Sequence, residues 1–238
     1  MPLLFSPVDQ EELADAFEPR PRHAFLMMQL DGNPTVADST MAAEVRAALA
    51  RANFEVVTAG DVRRTGDYLH KIINLIRGYG FSVAVFSDRT PPKTLANIFF
   101  EVGLAGMLGK PVQLVLNGEN PAPSDFVRSE WISYQRGEEP ALRAALDESL
   151  EQMNALAGYY REIGEVALEA ERPDLELAFE RFKQGVLIGN DAQSREGVRS
   201  VQTRLVDARD VEGRDDMATH RDRLFKSVSA FLRMLPAA

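Results

Sequence analysis

FSVAVFSDRTPPKTLANIFFEVGLAGMLGKPVQLVLN, Phe81 to Asn117, is the stretch that decides the fold. Phe81–Phe86 and Val112–Leu116 are short apolar runs of β type, and the helical segment of about fourteen residues between them has the spacing of a strand–helix–strand crossover in a parallel sheet. Within the helical segment, Asn97-Ile98-Phe99-Phe100-Glu101-Val102-Gly103-Leu104-Ala105 carries one carboxylate among apolar neighbours. On a 3.6-residue period Glu101 shares its face with Asn97, Leu104, Ala105 and Leu108, so it does not point to a wholly polar side. It is expected about one turn into the helix, just past the loop that leaves the strand's carboxyl end, where open parallel sheets bind ligands. Two readings stand side by side. A buried carboxylate either finds a partner such as Asn97 or has a perturbed pKa of the kind that gathers at functional sites. A glutamate at a helix start can also simply favour the positive end of the macrodipole.

Working outward toward the N-terminus, Tyr68–Arg77 reads as a helix with an apolar stripe of Leu69, Ile72, Ile73 and Ile76, stopped by Gly78 and Gly80. Ala59–Gly66, AGDVRRTG, is a loop carrying Arg63 and Arg64, and Phe54–Thr58 before it is a strand. Asp38-Ser39-Thr40 offers an N-cap for a helix through Arg51. Ala24–Leu30 is a continuous apolar run suited to a buried parallel strand, followed by the loop Asp31–Pro34. Residues 1–22 read as an arm with one short helix over Glu11–Phe17, ended by Pro19 and Pro21. Toward the C-terminus a short strand is expected at Trp131–Tyr134. The alternation from residue 23 to 137 predicts an α/β domain, a doubly wound parallel sheet with helices on both faces.

Residues 138–238 change character, because β-branched runs stop and apolar residues fall at helical spacing. Leu142–Leu156 reads as one helix, with Gly158 leaving open whether it runs on to Ala170, and Pro173 marks an end. Asp174 can cap Leu175–Leu187, Gly189-Asn190 breaks the chain, and Val198–Ala208 and Arg221–Leu235 complete an α-helical region. Leu224, Phe225, Val228, Phe231 and Leu232 have the spacing of a bundle core, within the subunit or between subunits, so a homo-oligomer formed through this region is expected.

The chain of 238 residues is long enough to bury its own core, and its lack of cysteine removes disulfide scaffolds, cysteine nucleophiles and thiolate zinc sites. Its three histidines, His23, His70 and His220, stand in no ligand spacing, so no metal is expected. A formal net charge of −9 without a Lys/Arg run argues against nucleic acid as a partner. No apolar run approaches the roughly 20 residues of a membrane span, and no leader pattern opens the chain, so a cytoplasmic protein without membrane association is expected.

Several chemistries lack their motifs. There is no GxxxxGK[ST] loop, the turn after the first strand lacks the GxGxxG glycines, and no serine stands in GxSxG. Carboxylates at the carboxyl edge of the sheet remain: Asp31 ends the first strand, Asp88 the third, and Glu101 follows in the next helix. Two carboxylates in different environments can act as nucleophile and general acid in breaking a glycosidic bond. Aspartate at a strand end is also common for turn and cap reasons alone. Arg63 and Arg64 could hold a phosphate bidentately, with Lys93 in a stiff Pro91-Pro92-Lys93 loop as a weaker phosphate ligand.

Phe100-Glu101-Val102-Gly103-Leu104-Ala105, continuing to Leu108-Gly109-Lys110-Pro111-Val112, resembles the [FY]-E-[LIV]-G-x-A…x-G-K-P pattern of the nucleoside 2-deoxyribosyltransferase-like group. That group includes nucleotide N-glycosidases, and TIR domains share a related flavodoxin-like arrangement. The resemblance covers roughly residues 22–136 and is specific over Glu101–Pro111. It implies a flavodoxin-like fold and a glutamate nucleophile, Glu101, that attacks the anomeric carbon and releases a base without a cofactor. It also implies Asp88 near the leaving base or sugar, and Met28-Gln29-Leu30-Asp31 beneath them. The implied partner is a small molecule: a nucleoside, a nucleotide or NAD. The expected substrate-binding set is therefore Gln29, Asp31, Arg63, Arg64 and Asn97. A different class of function on the same fold is a nucleotide-binding sensor, or a TIR-like signalling or defence module, that uses its helical tail to assemble or bind a partner.

Overall fold

The computed structural model describes residues 17–30, 32–61, 68–118, 131–209 and 216–236. They divide into two units, one of Arg22–Met153 and one of Met1–Pro21 with Asn154–Ala238.

In the first unit, β1 (His23–Met27), β2 (Glu55–Val57), β3 (Phe81–Ser87), β4 (Val112–Asn117) and β5 (Trp131–Tyr134) form one parallel sheet in the order β2-β1-β3-β4-β5. This is a flavodoxin-like α/β fold with a helical C-terminal region. Ala24 pairs with Phe81, Ser82 with Val112 and Leu114 with Trp131. All seven residues of β3 are buried, as a continuous apolar run in the middle of a two-faced sheet must be. The connections α1 (Val36–Arg51), α2 (Tyr68–Gly78) and α3 (Pro92–Met107) are the crossovers. Because β1 leads to β2 in one direction and β3 to β4 in the other, right-handed crossovers put α1 and α3 on opposite faces. The strand order therefore reverses between β1 and β3, and the carboxyl ends of those strands flank the switch point.

The starts of α1 and α3 differ from the sequence reading. The N-cap of α1 is Thr35, three residues before the expected Asp38. Thr35 Oγ1 accepts from the Asp38 amide at 3.0 Å while Asp38 Oδ2 lies 2.8 Å from that hydroxyl and 3.3 Å from the Thr35 amide. Asp38 thus closes a capping box from inside the first turn. Likewise Pro91-Pro92-Lys93 is not a loop over the crevice: Pro91 is the N-cap of α3 and Pro92 its first residue, where a missing N–H costs nothing.

The C-terminal end of α3 explains the Gly-Lys-Pro segment. Gly109 has φ +66°, Lys110 N donates to Ala105 O at 2.9 Å and Gly109 N to Gly106 O at 3.0 Å, the paired bonds of a Schellman motif. Buried Lys110 donates its ammonium to Tyr79 O at 2.8 Å, and Pro111 O accepts from Ser82 N as the chain turns into β4.

The helix α4 (Glu139–Glu169) runs through both Gly158 and Gly164, and the division between units falls inside it. Its first half buries Leu142, Leu146 and Leu150, and Arg143 grips Glu44 of α1 through Nε at 2.7 Å and Nη2 at 2.6 Å.

The second unit is a bundle of the rest of α4 with α5 (Leu175–Gly189), α6 (Ala192–Arg209) and α7 (Asp216–Met234). Asp174 caps α5 by accepting from Leu177 N at 2.9 Å, and Asn190 ends it in the left-handed conformation, φ 57°. Every residue from Phe182 to Ile188 is buried, so α5 is the central helix rather than an amphipathic one. The Phe182 ring lies between Gly164 of α4 and Gly197 of α6, where a Cβ would come within 2.9 Å and 2.4 Å of it. The predicted stripe of α7 is in the core: Leu224, Val228 and Phe231 are buried, with Phe225 and Leu232 packed against them. Helix α6 begins six residues before the expected Val198, because Asp191 caps it by accepting from Ser194 N at 2.8 Å. Among the described residues no helix is long and apolar enough to cross a membrane.

Candidate active site

Three strips run along α3. Ile98, Val102 and Ala105, at i, i+4 and i+7, are buried toward the sheet, with Leu104 buried as well. Ala96, Phe100, Gly103 and Met107 form an exposed strip. Between them lie Thr94, Asn97 and Glu101, at i, i+3 and i+7. These three, with Ile98, make one wall of a cleft of about 120 Å³. The other described residues that line it are Leu26, Met27, Met28 and Leu30, at and just past the carboxyl end of β1, and Ala59 from the turn after β2. The cleft therefore sits at the carboxyl edge of the sheet beside the switch point, the place where this topology takes ligands.

The Ala59 turn is held by its own hydrogen bonds. Asp61 Oδ2 accepts from the Thr58 amide at 2.8 Å and hydroxyl at 2.7 Å, which holds its carboxyl below the usual range, and Lys71 of α2 donates to Ala59 O. Gln29 is buried next to the cleft without lining it, its amide nitrogen lying under Gly32, where φ is +84° and a Cβ would come within 3.2 Å of it.

Glu101 is the tenth residue of α3, farther in than the one turn or so that was expected. The favourable effect of the macrodipole falls off within that turn, so the helix-start explanation does not hold. The carboxylate is partly buried and makes no hydrogen bond or ion pair with any described residue, Asn97 included, although the two line the same cleft. Burial without a compensating donor pushes its pKa up to about 7. Of the two outcomes expected for a buried glutamate here, a partner or a shifted pKa, the second holds.

The other sequence candidates are distributed differently. Asp88 ends β3 and is exposed, but it does not line the cleft. Its backbone amide donates to Asn117 O at 3.1 Å, and its carboxyl carbon lies where a Cβ on Gly118 would come within 2.7 Å. Asp88 therefore lies over the end of β4, whereas the cleft opens between α3 and the end of β1. Asp31, Arg63 and Arg64 fall outside the described residues. Thr94 was not singled out from the sequence, although its position seven residues before Glu101 puts it on the same strip at helical period. Among the described residues no group of three or more His, Asp or Glu side chains is gathered as a metal site would need.

The described lining thus offers one ionisable group whose protonation changes near neutrality, two polar side chains on its own helix, and the methionine, leucine and alanine residues of the β1 and β2 ends. A flat, partly apolar ligand can lie on the methionine and leucine wall with a polar or reacting edge turned to α3. Comparisons with protein families, with curated proteins and with solved structures each return no match.

Proposed function

We propose that this protein is an enzyme that cleaves the N-glycosidic bond of a nucleoside, nucleotide or NAD-like small molecule, by hydrolysis or transfer, with Glu101 as the nucleophile. The observation that supports this most is the state of Glu101: a carboxylate without a partner among the described residues, shifted to about 7, in a cleft at the switch point of the sheet. Its place in the Phe-Glu-Val-Gly-Leu-Ala segment is the place of the acting glutamate in the group that the segment resembles. Asn97 and Thr94 serve to hold the substrate from the same helix. Neither a metal nor a redox cofactor is required, since the sugar itself supplies the electrophile. The compartment is the cytoplasm, and copies of the chain assemble through the helical unit.

The alternative is a sensor that binds a nucleotide-derived ligand without turnover. It is favoured by one specific observation, that the described walls of the cleft hold a single carboxylate, whereas glycosidases use two.

Base release followed by chromatography separates them, using nucleosides, nucleoside monophosphates and NAD with the wild type, Glu101→Ala and Glu101→Gln. Release by the wild type that both variants lower by about 10²-fold or more, with circular dichroism unchanged, supports the enzyme. Saturable binding of one ligand without release at high protein concentration supports the sensor.

A further inference from the structure

We infer that Asn97 selects the sugar by holding its 2′-hydroxyl, so that this site takes ribosides in preference to 2′-deoxyribosides. This rests on the glycosidic reading above and names the substrate class within it.

Asn97 and Glu101 both line the cleft, at i and i+4 of α3. With a rise of about 1.5 Å per residue they stand about 6 Å apart along the helix axis, on one strip. Every Cα–Cβ bond of a helix tilts toward its N-terminus, so the Glu101 side chain leads out toward the turn that carries Asn97. Asn97 is exposed and Glu101 partly buried, so the strip deepens from the amide to the carboxylate.

The stereochemistry of the substrate determines which of its groups meets Asn97. In a β-riboside the base and C5′ lie on one face of the furanose ring, and the 2′- and 3′-hydroxyls lie on the other. A nucleophile that displaces the base attacks the anomeric carbon in line with the breaking bond, hence from the hydroxyl face. With Glu101 as that nucleophile, the hydroxyl face is turned to α3 and the base away from it. Asn97 therefore stands beside the hydroxyls, and the 2′-hydroxyl is on the carbon next to the one attacked. The Asn97 carboxamide offers both donors and an acceptor, either of which a hydroxyl can meet. Thr94, about 10.5 Å from Glu101 along the axis, is the more distant of the two polar side chains on the strip.

In the displacement, a Glu101 carboxylate oxygen bonds to the anomeric carbon and the bond to the base nitrogen breaks, its electron pair leaving with the base. The base takes a proton from solvent. Water, or the nitrogen of a second base, then attacks the same carbon from the opposite face, gives up a proton and frees the carboxylate. The 2′-hydroxyl withdraws electrons from the oxocarbenium-like transition state, so a 2′-deoxyriboside is intrinsically the more labile substrate. A site that ignores the hydroxyl turns over the deoxy form faster, and one that bonds to it offsets that difference.

The test takes the nucleoside or nucleotide that the wild-type full chain cleaves fastest and measures kcat/KM for its ribo and 2′-deoxy forms, in the wild type and in Asn97→Ala. The ratio of the two forms, compared between the two proteins, cancels their intrinsic reactivities. The ribo-to-deoxy ratio is expected to fall by about fivefold or more in Asn97→Ala, through loss on the riboside. A smaller change, including an equal loss on both forms, overturns the assignment of Asn97. The glycosidic reading still stands in that case if Glu101→Ala abolishes release. No release by the wild type from any nucleoside, nucleotide or NAD overturns both. Asn97 is exposed and alanine has the higher helix propensity, so Asn97→Ala is expected to fold, which circular dichroism checks. The wild type alone gives a second readout: a preference for the deoxy form as large as the difference in uncatalysed hydrolysis overturns the inference, and a smaller or reversed preference supports it.

Discussion

Lys183 in the helical unit and Glu101 in the α/β unit are ionisable side chains set on helices among apolar neighbours, and the protein treats them oppositely. Lys183 is buried within the bundle, with Glu180 Oε1 2.7 Å from its ammonium and the Phe179 ring centroid 5.2 Å away. Lys110, buried where α3 ends, is likewise satisfied by Tyr79 O. Each has an architectural use, and each has a partner that cancels the cost of leaving water. Glu101 faces a cleft and has no partner among the described residues. Where charge is buried to build, this chain neutralises it; where it is buried and left alone, the group keeps a pKa near neutrality and is available for chemistry.

The comparison can be broken or sharpened by substitution. The largest effect is expected where the helical unit depends on packing. Phe182→Ala, which empties the slot between Gly164 and Gly197, should destabilise by about 3–5 kcal/mol in chemical denaturation of the full chain. A loss below 1 kcal/mol would mean that the bundle core is not organised around that ring.

Next is Glu101→Gln, where the sign is opposite. The folded protein binds this proton up to about pH 7, and the unfolded chain only to its ordinary value near 4.5, so stability falls as pH rises from 4.5 to 7 and stays lower above. Removing the charge should therefore stabilise the fold at pH 8, by at most about 3 kcal/mol, with the gain fading toward pH 5. Thermal unfolding at the two pH values measures it. Equal effects at both would place the cause outside ionisation.

Glu180→Gln asks the same question of the paired charge and should destabilise by about 1–2 kcal/mol, since Glu180 is partly exposed while Lys183 is not. Smallest is Thr35→Ala, which strips the cap of α1 and leaves buried Asp38 without its hydroxyl partner, at a cost of about 1 kcal/mol by denaturant midpoint.

The strands were legible in the sequence because each is a short apolar run bounded by turn residues, and Trp131–Tyr134 was found to the residue. Helix starts were harder. Thr35 and Asp38 are both good caps, and only the reciprocal bond between them decides which one ends the helix. Pro91-Pro92 carries the same dihedral restriction in a loop as in a first helical turn, so the pair alone could not tell the two apart. That misplaced start also put Glu101 too near the helix end. Periodicity associated Glu101 with Asn97, Leu104, Ala105 and Leu108 on one face; Asn97 does line the cleft with it, whereas Leu104 and Ala105 are buried and do not. The apolar part of the lining was not legible as part of a site, because Leu26, Met27 and Met28 look like any buried strand until Ala59 and α3 enclose the space beside them. The separation of Asp88 from the cleft depends on where α3 crosses the sheet edge, which no local pattern records.

The most direct measurement is the titration of the Glu101 side-chain carboxyl by carbon-13 NMR in the uniformly labelled full chain, with Glu101→Gln used to assign the resonance. A midpoint near 7 is expected, set by burial with no partner among the described residues. A midpoint near the ordinary 4.5 would mean that Glu101 is solvated or paired, and would remove the basis for treating it differently from the other carboxylates of the chain.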